Sequence, residues 1–331
     1  MHRTATFFDL KITASGKSNV KGFETIFEAT PKSLSEIYQF IEKLMASGDR
    51  LLQKGRTSKS ARFYLADMKL QGSKLVLLVN RCDPTAPDAV SSDPENKSRV
   101  VHTKPEGHGG DFSAHVVIET TPIKGDNYYL CVIETVFGSG LHASSVAGYL
   151  RHVFRHCRLQ FPSEFLIPHD SGAKQKDGSP VTVRHVHFAE LQGHPSTEFE
   201  KELSEGTLSG LELLDFSTKG AVWDEQGVIE EQGRKVLLRP EKKVLKDTAK
   251  AVQQIRSKVL GDKNLHYPQI RIRFTNQKGE PRDATIDTES GRLVNEQKYV
   301  KRHVINAPTI NTASLDAING IIIKQVLRLM G

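Results

Sequence analysis

Residues 269–287 read QIRIRFTNQKGEPRDATID, and this stretch decides the fold class. In its first half, isoleucine and arginine alternate, which is typical of a strand with one buried face. The turn Asn276–Gly279 follows, and a second β-rich run begins at Arg282. We therefore predict a β-hairpin whose first strand holds Arg271 and Arg273 on one exposed face.

Hairpin signals recur along the chain, with β-rich runs at 61–70 and 74–80 and again at 112–120 and 128–136. Strands grouped as hairpins, with few helices between them, predict an α+β fold of mostly antiparallel sheets with flanking helices. The expected helices are Leu34–Met45 behind a Ser33/Glu36 capping box, Ala143–Cys157, Glu198–Leu203, Pro240 to about Leu260, and a closing helix capped by Ser314 with a buried stripe at Leu315, Ile318, Ile322, Val326 and Leu329.

Two domains are expected. Residues 1–225 would form an N-terminal α+β domain with a long polar loop at 83–110, where proline, glycine and polar residues dominate. Residues 234–331 would form a basic C-terminal α+β domain.

The charge is distributed unevenly along the sequence. The whole chain of 331 residues has a net charge of +7. From Arg234 to the end there are 20 Lys and Arg against 9 Asp and Glu, a net of +11, which leaves −4 for the remainder. Positive charge concentrated in one part of the chain is typical of proteins that bind polyanions.

Composition narrows the class of protein. Hydrophobic residues make up 37% and charged residues 26%, which is typical of a water-soluble globular protein. No apolar run is long enough to span a bilayer, and the N-terminus has no signal-peptide pattern. The three cysteines are far apart without a CxxC motif, so we expect neither disulfides nor a zinc ribbon, and a cytoplasmic location.

The basic residues of the C-terminal region define the candidate nucleic-acid site. Few aromatic residues lie among these charges, so we expect sequence-tolerant contact with the backbone of double-stranded DNA rather than base stacking. The predicted contact residues are Arg271, Arg273, Lys278 and Arg282 of the hairpin and Lys242, Lys243, Lys246 and Lys250 of the basic helix.

A metal-dependent nuclease is the alternative. His185 and His187 would share one face of a strand, and both imidazoles could meet one metal ion. Zinc usually takes three or four ligands, so His115, Glu119 or Glu134 would have to join them. No catalytic triad and no complete phosphate-binding loop is present, and we expect neither a catalytic centre nor a cofactor.

The chain resembles the RexA-like family of phage-exclusion proteins over much of its C-terminal two-thirds. The matching segments are Thr135-Val136-Phe137-Gly138 before a helix, His185-Val186-His187-Phe188, the Lys-rich helix near Lys242–Ile255, and the hairpin Ile270–Asp287 with the later Gly291-Arg292-Leu293.

The resemblance implies a dimeric DNA-binding protein that acts in phage exclusion or abortive infection, as a sensor or effector beside a membrane-protein partner encoded alongside. In the hairpin, it rests chiefly on Arg273. Other defence-associated DNA binders, such as the KwaB component of Kiwa, are possible relatives.

Overall fold

A computed structural model describes residues 2–123, 125, 127–216, 233–241, 248–294 and 298–331. These residues form five α-helices, one short 3-10 helix and fifteen strands. The strand pairs with a defined register are antiparallel. The predicted α+β class with mostly antiparallel sheets and flanking helices is therefore confirmed.

Contacts between Cα atoms group the chain into two compact units. The first comprises Met1–Thr6, Leu10–Leu191 and His303–Gly331, and the second comprises Phe7–Asp9 and Gln192–Arg302. This grouping differs from a boundary between residues 225 and 234, because strands on either side of that boundary pair with each other. The division into domains 1–225 and 234–331 stays a prediction.

Strands supply most of the regular structure. In chain order they are β1 (Arg3–Ser18), β2 (Thr25–Ala29), β3 (Arg62–Gln71), β4 (Lys74–Asp83), β5 (Ala89–Asp93), β6 (Ser98–His102), β7 (Gly110–Glu119), β8 (Tyr128–Val136), β9 (Leu166–Pro168), β10 (Thr182–Gly193), β11 (Thr207–Asp215), β12 (Arg234–Leu238), β13 (Gln269–Thr275), β14 (Pro281–Asp287) and β15 (Arg302–Ile305).

The strands form three sheets. The largest has nine strands in the order β3-β4-β7-β8-β1-β10-β9, with β2 and β15 also paired to β1. A second sheet has the order β12-β11-β13-β14, and β5 and β6 form a two-stranded sheet. In β4, β7 and β8, long runs of consecutive buried residues show that both faces of the large sheet are covered there.

The first three α-helices begin within one residue of the predicted positions. The Ser33/Glu36 capping box is formed, so the first helix starts as predicted. The 3-10 helix Pro162–Phe165 follows the second α-helix. The α-helices are α1 (Leu34–Ala46), α2 (Ala143–Gln160), α3 (Thr197–Glu205), α4 (Thr248–Gly261) and α5 (Gly320–Met330). Residues 242–247 of the predicted basic helix lie outside the described residues.

The closing helix starts later than predicted, and Ser314 does not cap it. Asn319 is the N-cap, and its side-chain oxygen accepts hydrogen bonds from Ile321 N and Ile322 N. The sheet holds the preceding segment in a non-helical conformation, because the Ser314 hydroxyl donates to Asp111 and Ile318 N donates to Asp67. The predicted stripe is therefore correct for Ile322 and Val326, which are buried, and wrong for Leu315 and Ile318, which precede the helix.

The stretch predicted as a polar loop at 83–110 contains the hairpin β5–β6. Every residue of both strands is exposed. Val90, Val100 and Val101 favour the extended conformation, and an Asp93 side chain that accepts from Glu95 N and Asn96 N forms the turn. The low apolar content was visible in the sequence, but this local pairing was missed.

No helix among the described residues is long and apolar enough to cross a membrane.

Candidate nucleic-acid interface

The hairpin β13–β14 forms where the sequence predicts it. Ile270, Ile272 and Phe274 are fully buried on one face of β13, so Arg271 and Arg273 share the opposite face. The predicted alternation is therefore confirmed. The exposed side-chain fractions of the two arginines are 41% and 52%.

Carboxylates of neighbouring strands contact both guanidinium groups. Arg271 Nε donates to Asp283 of β14 over 2.8 Å. Arg273 lies 2.5 Å from Glu212 of β11, and Lys235 of β12 lies 2.7 Å from the same carboxylate. Glu212 is almost fully buried. This sheet face, which we call the paired arginine face, therefore neutralises its own arginines.

The other two hairpin residues lie outside β13. Arg282 stands opposite Phe274 in the register, so it belongs to the other side of the sheet, and its guanidinium contacts Glu280. Lys278 is exposed in the turn, where its backbone N–H donates to the Asn276 side chain. A hydrogen bond from the Asn276 side chain, together with the charge of Arg282, lowers the pKa of Glu280. The structure therefore does not bring the four predicted residues onto one surface.

The basic helix is described only in part. Lys242, Lys243 and Lys246 lie outside the described residues, whereas Lys250 lies exposed in α4. Arg256 of the same helix donates to the backbone oxygens of Thr288 and Glu289. This arginine therefore holds the turn after β14 and is engaged in the fold.

The charge excess is redistributed when the chain is divided by its contacts. The second unit contains 20 Lys and Arg against 19 Asp and Glu, a net of +1, because residues 198–231 bring ten carboxylates to it. The first unit contains the other 26 Lys and Arg and the other 20 Asp and Glu, a net of +6. Most of the net positive charge thus lies outside the unit that carries the hairpin.

The two histidines of β10 lie side by side, with ring centroids 4.3 Å apart. His187 Nε2 accepts a hydrogen bond from Lys32 N at 2.9 Å, and His185 Nε2 donates to the Thr30 oxygen at 3.0 Å. Burial, together with the charges of the nearby His185 and Lys32, lowers the pKa of His187 to about 3. Both rings are thereby engaged in fixing the segment that leads into α1.

His115 and Glu134, two of the other candidate metal ligands, form a separate buried network, whereas Glu119 pairs with Lys74. The Asn319 N–H donates to His115 Nε2 at 3.1 Å, so the proton of a neutral His115 is on Nδ1, which donates to Glu134 at 2.8 Å. Arg3 lies 2.9 Å from the same carboxylate and is 1% exposed. No three His, Cys, Asp or Glu side chains of the described part of the chain lie close enough to hold a metal ion. The carboxylates that a nuclease would need therefore do not join His185 and His187.

One basic cluster was not singled out from the sequence. The segment Arg151–Arg158 reads RHVFRHCR and lies in α2, where Arg151, Arg155 and Arg158 recur at i, i+4 and i+7 and share one helix face. Arg184 of β10 lies near Arg158. The i, i+4, i+7 spacing was the available signal, but the sequence does not show that β10 joins it.

No protein-family model matches the chain, and no curated protein is significantly similar to it in sequence.

Proposed function

We propose that this protein binds double-stranded DNA through the phosphate backbone, without sequence preference. The observation that carries the proposal is the pair of exposed guanidiniums in line on β13, with Lys278 in the turn beyond them. Residues i and i+2 of a strand are about 6.6 Å apart, so the two guanidiniums can reach neighbouring phosphates of one strand of a duplex.

The ion pairs on the paired arginine face are compatible with this role. Asp283 and Glu212 hold the guanidiniums in fixed positions while leaving about half of each arginine side chain in water. The Arg271–Asp283 pair is exposed, and such a pair contributes only about 0–1 kcal/mol to stability, so a phosphate oxygen can replace Asp283 at little cost. Glu212 is almost fully buried, but Lys235 remains its partner when Arg273 binds a phosphate.

The resemblance to RexA-like proteins supplies the biological part of the proposal. On that basis the chain acts in the cytoplasm as a homodimer, in anti-phage defence or phage exclusion, with a membrane-protein partner encoded alongside. DNA binding is the whole of the activity proposed here, and the DNA contact would supply the sensing or effector step.

The test uses the triple variant Arg271→Ala/Arg273→Ala/Lys278→Ala and fluorescence anisotropy with labelled duplexes of unrelated sequence. Each phosphate contact contributes about 0.9 to the slope of log K against log[salt], so we expect the slope to fall by about 2–3. The affinity should fall by a similar factor for every duplex.

The control is Lys97→Ala/Lys174→Ala/Lys176→Ala, which removes the same formal charge from exposed positions. It should bind duplexes as the parent does. If the hairpin variant and this control have the same affinity and slope, the paired arginine face does not bind DNA and the proposal fails.

A further inference from the structure

A second basic surface lies in the first unit, on α2 and β10. Arg151, Arg155 and Arg158 line one face of α2, and Arg184 stands on the outer face of β10. Among the described residues, none of the four arginines forms an ion pair with a carboxylate. This is the opposite of the paired arginine face. We call these four residues the open arginine cluster.

Arg158 is the most constrained member of the cluster. Its Nε is buried and has no hydrogen-bond partner among the described residues. Burial lowers the pKa of Arg158, and the charges of the nearby Arg184 and Arg155 act in the same direction. Like charges held close together repel one another, so an anionic ligand would stabilise this cluster by relieving the repulsion.

An exposed aromatic ring adjoins the arginines. Phe188 is 48% exposed on the same face of β10 as Arg184, and the Arg151 guanidinium lies 4.7 Å from the centre of its ring. Arg151 Nε also donates to the Ala147 oxygen, which fixes the guanidinium over the ring. Glu190 is also exposed on this strand face, two residues beyond Phe188. A flat guanidinium stacked on a ring is a surface on which an unpaired base can stack.

The length of this surface fits a short piece of single-stranded nucleic acid. Arg151 and Arg158 are about 10 Å apart along the helix axis, and Arg184 and Phe188 are about 13 Å apart along β10. The surface is therefore long enough to meet a short run of consecutive backbone phosphates. A duplex could meet the arginines with its phosphates, but its paired bases cannot reach the Arg151–Phe188 stack.

From this combination we infer that the open arginine cluster and Phe188 form a binding site for single-stranded nucleic acid. Arg155, Arg158 and Arg184 bind backbone phosphates, and Arg151 with Phe188 stacks an unpaired base. This inference deepens the proposed function by adding a second nucleic-acid form on a separate surface, and it rests on nucleic acid being the partner class.

The test compares three probes by fluorescence anisotropy, namely oligothymidylate, an abasic strand of equal length and a duplex. The variant Arg155→Ala/Arg158→Ala/Arg184→Ala should bind oligothymidylate more weakly, with a salt slope lower by about 2, since each single-strand contact contributes about 0.7. Phe188→Ala should weaken oligothymidylate binding by about fivefold or more and leave the abasic strand unaffected. This ratio between two probes does not depend on the folded fraction of the variant.

Two results would overturn the inference. One is equal oligothymidylate affinity for the arginine variant and the Lys97→Ala/Lys174→Ala/Lys176→Ala control. The other is an equal loss of affinity for all three probes upon Phe188→Ala. The two proposals are tested by different variants. A hairpin variant that binds duplex normally contradicts the proposed function, but it does not affect the oligothymidylate result for the open arginine cluster.

Discussion

The paired arginine face and the open arginine cluster carry the same side chain in opposite electrostatic settings. On β13, Asp283 and Glu212 contact the guanidiniums of Arg271 and Arg273. On α2 and β10, Arg158 has only other arginines among the causes that shift its pKa besides burial. A count of basic residues therefore does not identify an anion site. Carboxylates that the fold brings to the same surface compete with phosphate for the guanidiniums.

The comparison also explains why the charge of the sequence is misleading. Residues 234–302 of the C-terminal +11 segment belong to the second unit, which also contains the ten carboxylates of residues 198–231 and has a net charge of +1. The open arginine cluster lies in a sequence region with a net negative charge, yet its own surface holds four arginines. Local pairing determines the electrostatic potential at a surface more than the charge of a segment does.

The largest loss of stability should follow from breaking the buried Arg3–Glu134 ion pair, which contrasts with the exposed pair on the paired arginine face. Both side chains are at most 1% exposed, so Glu134→Ala leaves a buried guanidinium without its counter-charge. The free energy of unfolding should fall by about 3–5 kcal/mol. Denaturant titration measures this, with the exposed Glu106→Ala as a control that should change it by less than about 0.5 kcal/mol. An unchanged stability would show that the pair is not buried as described.

The next effect concerns the core beneath the open arginine cluster, where His187 lies on the inner face of β10. Its folded pKa of about 3 is below the ordinary value of 6.5, so the unfolded chain takes up a proton that the folded chain rejects. The free energy of unfolding should therefore fall as the pH drops from about 6.5 towards 3. Denaturant titrations across this pH range should show that the free energy of unfolding of His187→Gln depends less on pH than that of the parent. Identical pH dependence in parent and variant would contradict the burial of this ring.

A smaller effect is expected when a carboxylate is removed from the paired arginine face, which makes it more like the open arginine cluster. Asp283→Asn removes a carboxylate that competes with phosphate for Arg271. We expect tighter duplex binding with a similar salt slope, because Arg271 already contacts a phosphate in the parent, and stability should change by less than about 1 kcal/mol because the pair is exposed. Anisotropy titrations at several salt concentrations measure this. Weaker duplex binding would mean that Asp283 positions Arg271 rather than competing for it.

The smallest effect should come from the exposed hairpin β5–β6, which belongs to neither surface. Every residue of its strands is exposed, so it buries little apolar area. Replacing residues 84–109 with a short Gly/Ser linker should leave the melting temperature and binding to both probes nearly unchanged. A large drop in melting temperature, measured by circular dichroism, would show that this segment supports the core.

The sequence predicts those features that depend on local chemistry. Alternation placed Arg271 and Arg273 on one face, and the Ser33/Glu36 capping box fixed the start of α1. The start of α5 depends on Asp67 and Asp111, which are more than 200 residues away, so local propensity could not predict it. The same holds for the Glu212 partner of Arg273 and for the meeting of α2 with β10. These contacts are set by sheet order, which the spacing of residues along the chain does not contain.

The central claim is that this chain binds nucleic acid through backbone phosphates, and the salt dependence of the parent protein tests it most directly. Duplex DNA should be titrated with the full chain at a series of salt concentrations, with unrelated sequences compared at each. Three hairpin contacts predict a slope of log K against log[salt] of about −2.7 or steeper, equal for all sequences. A slope near zero, or no binding at the lowest salt concentration, would contradict the account.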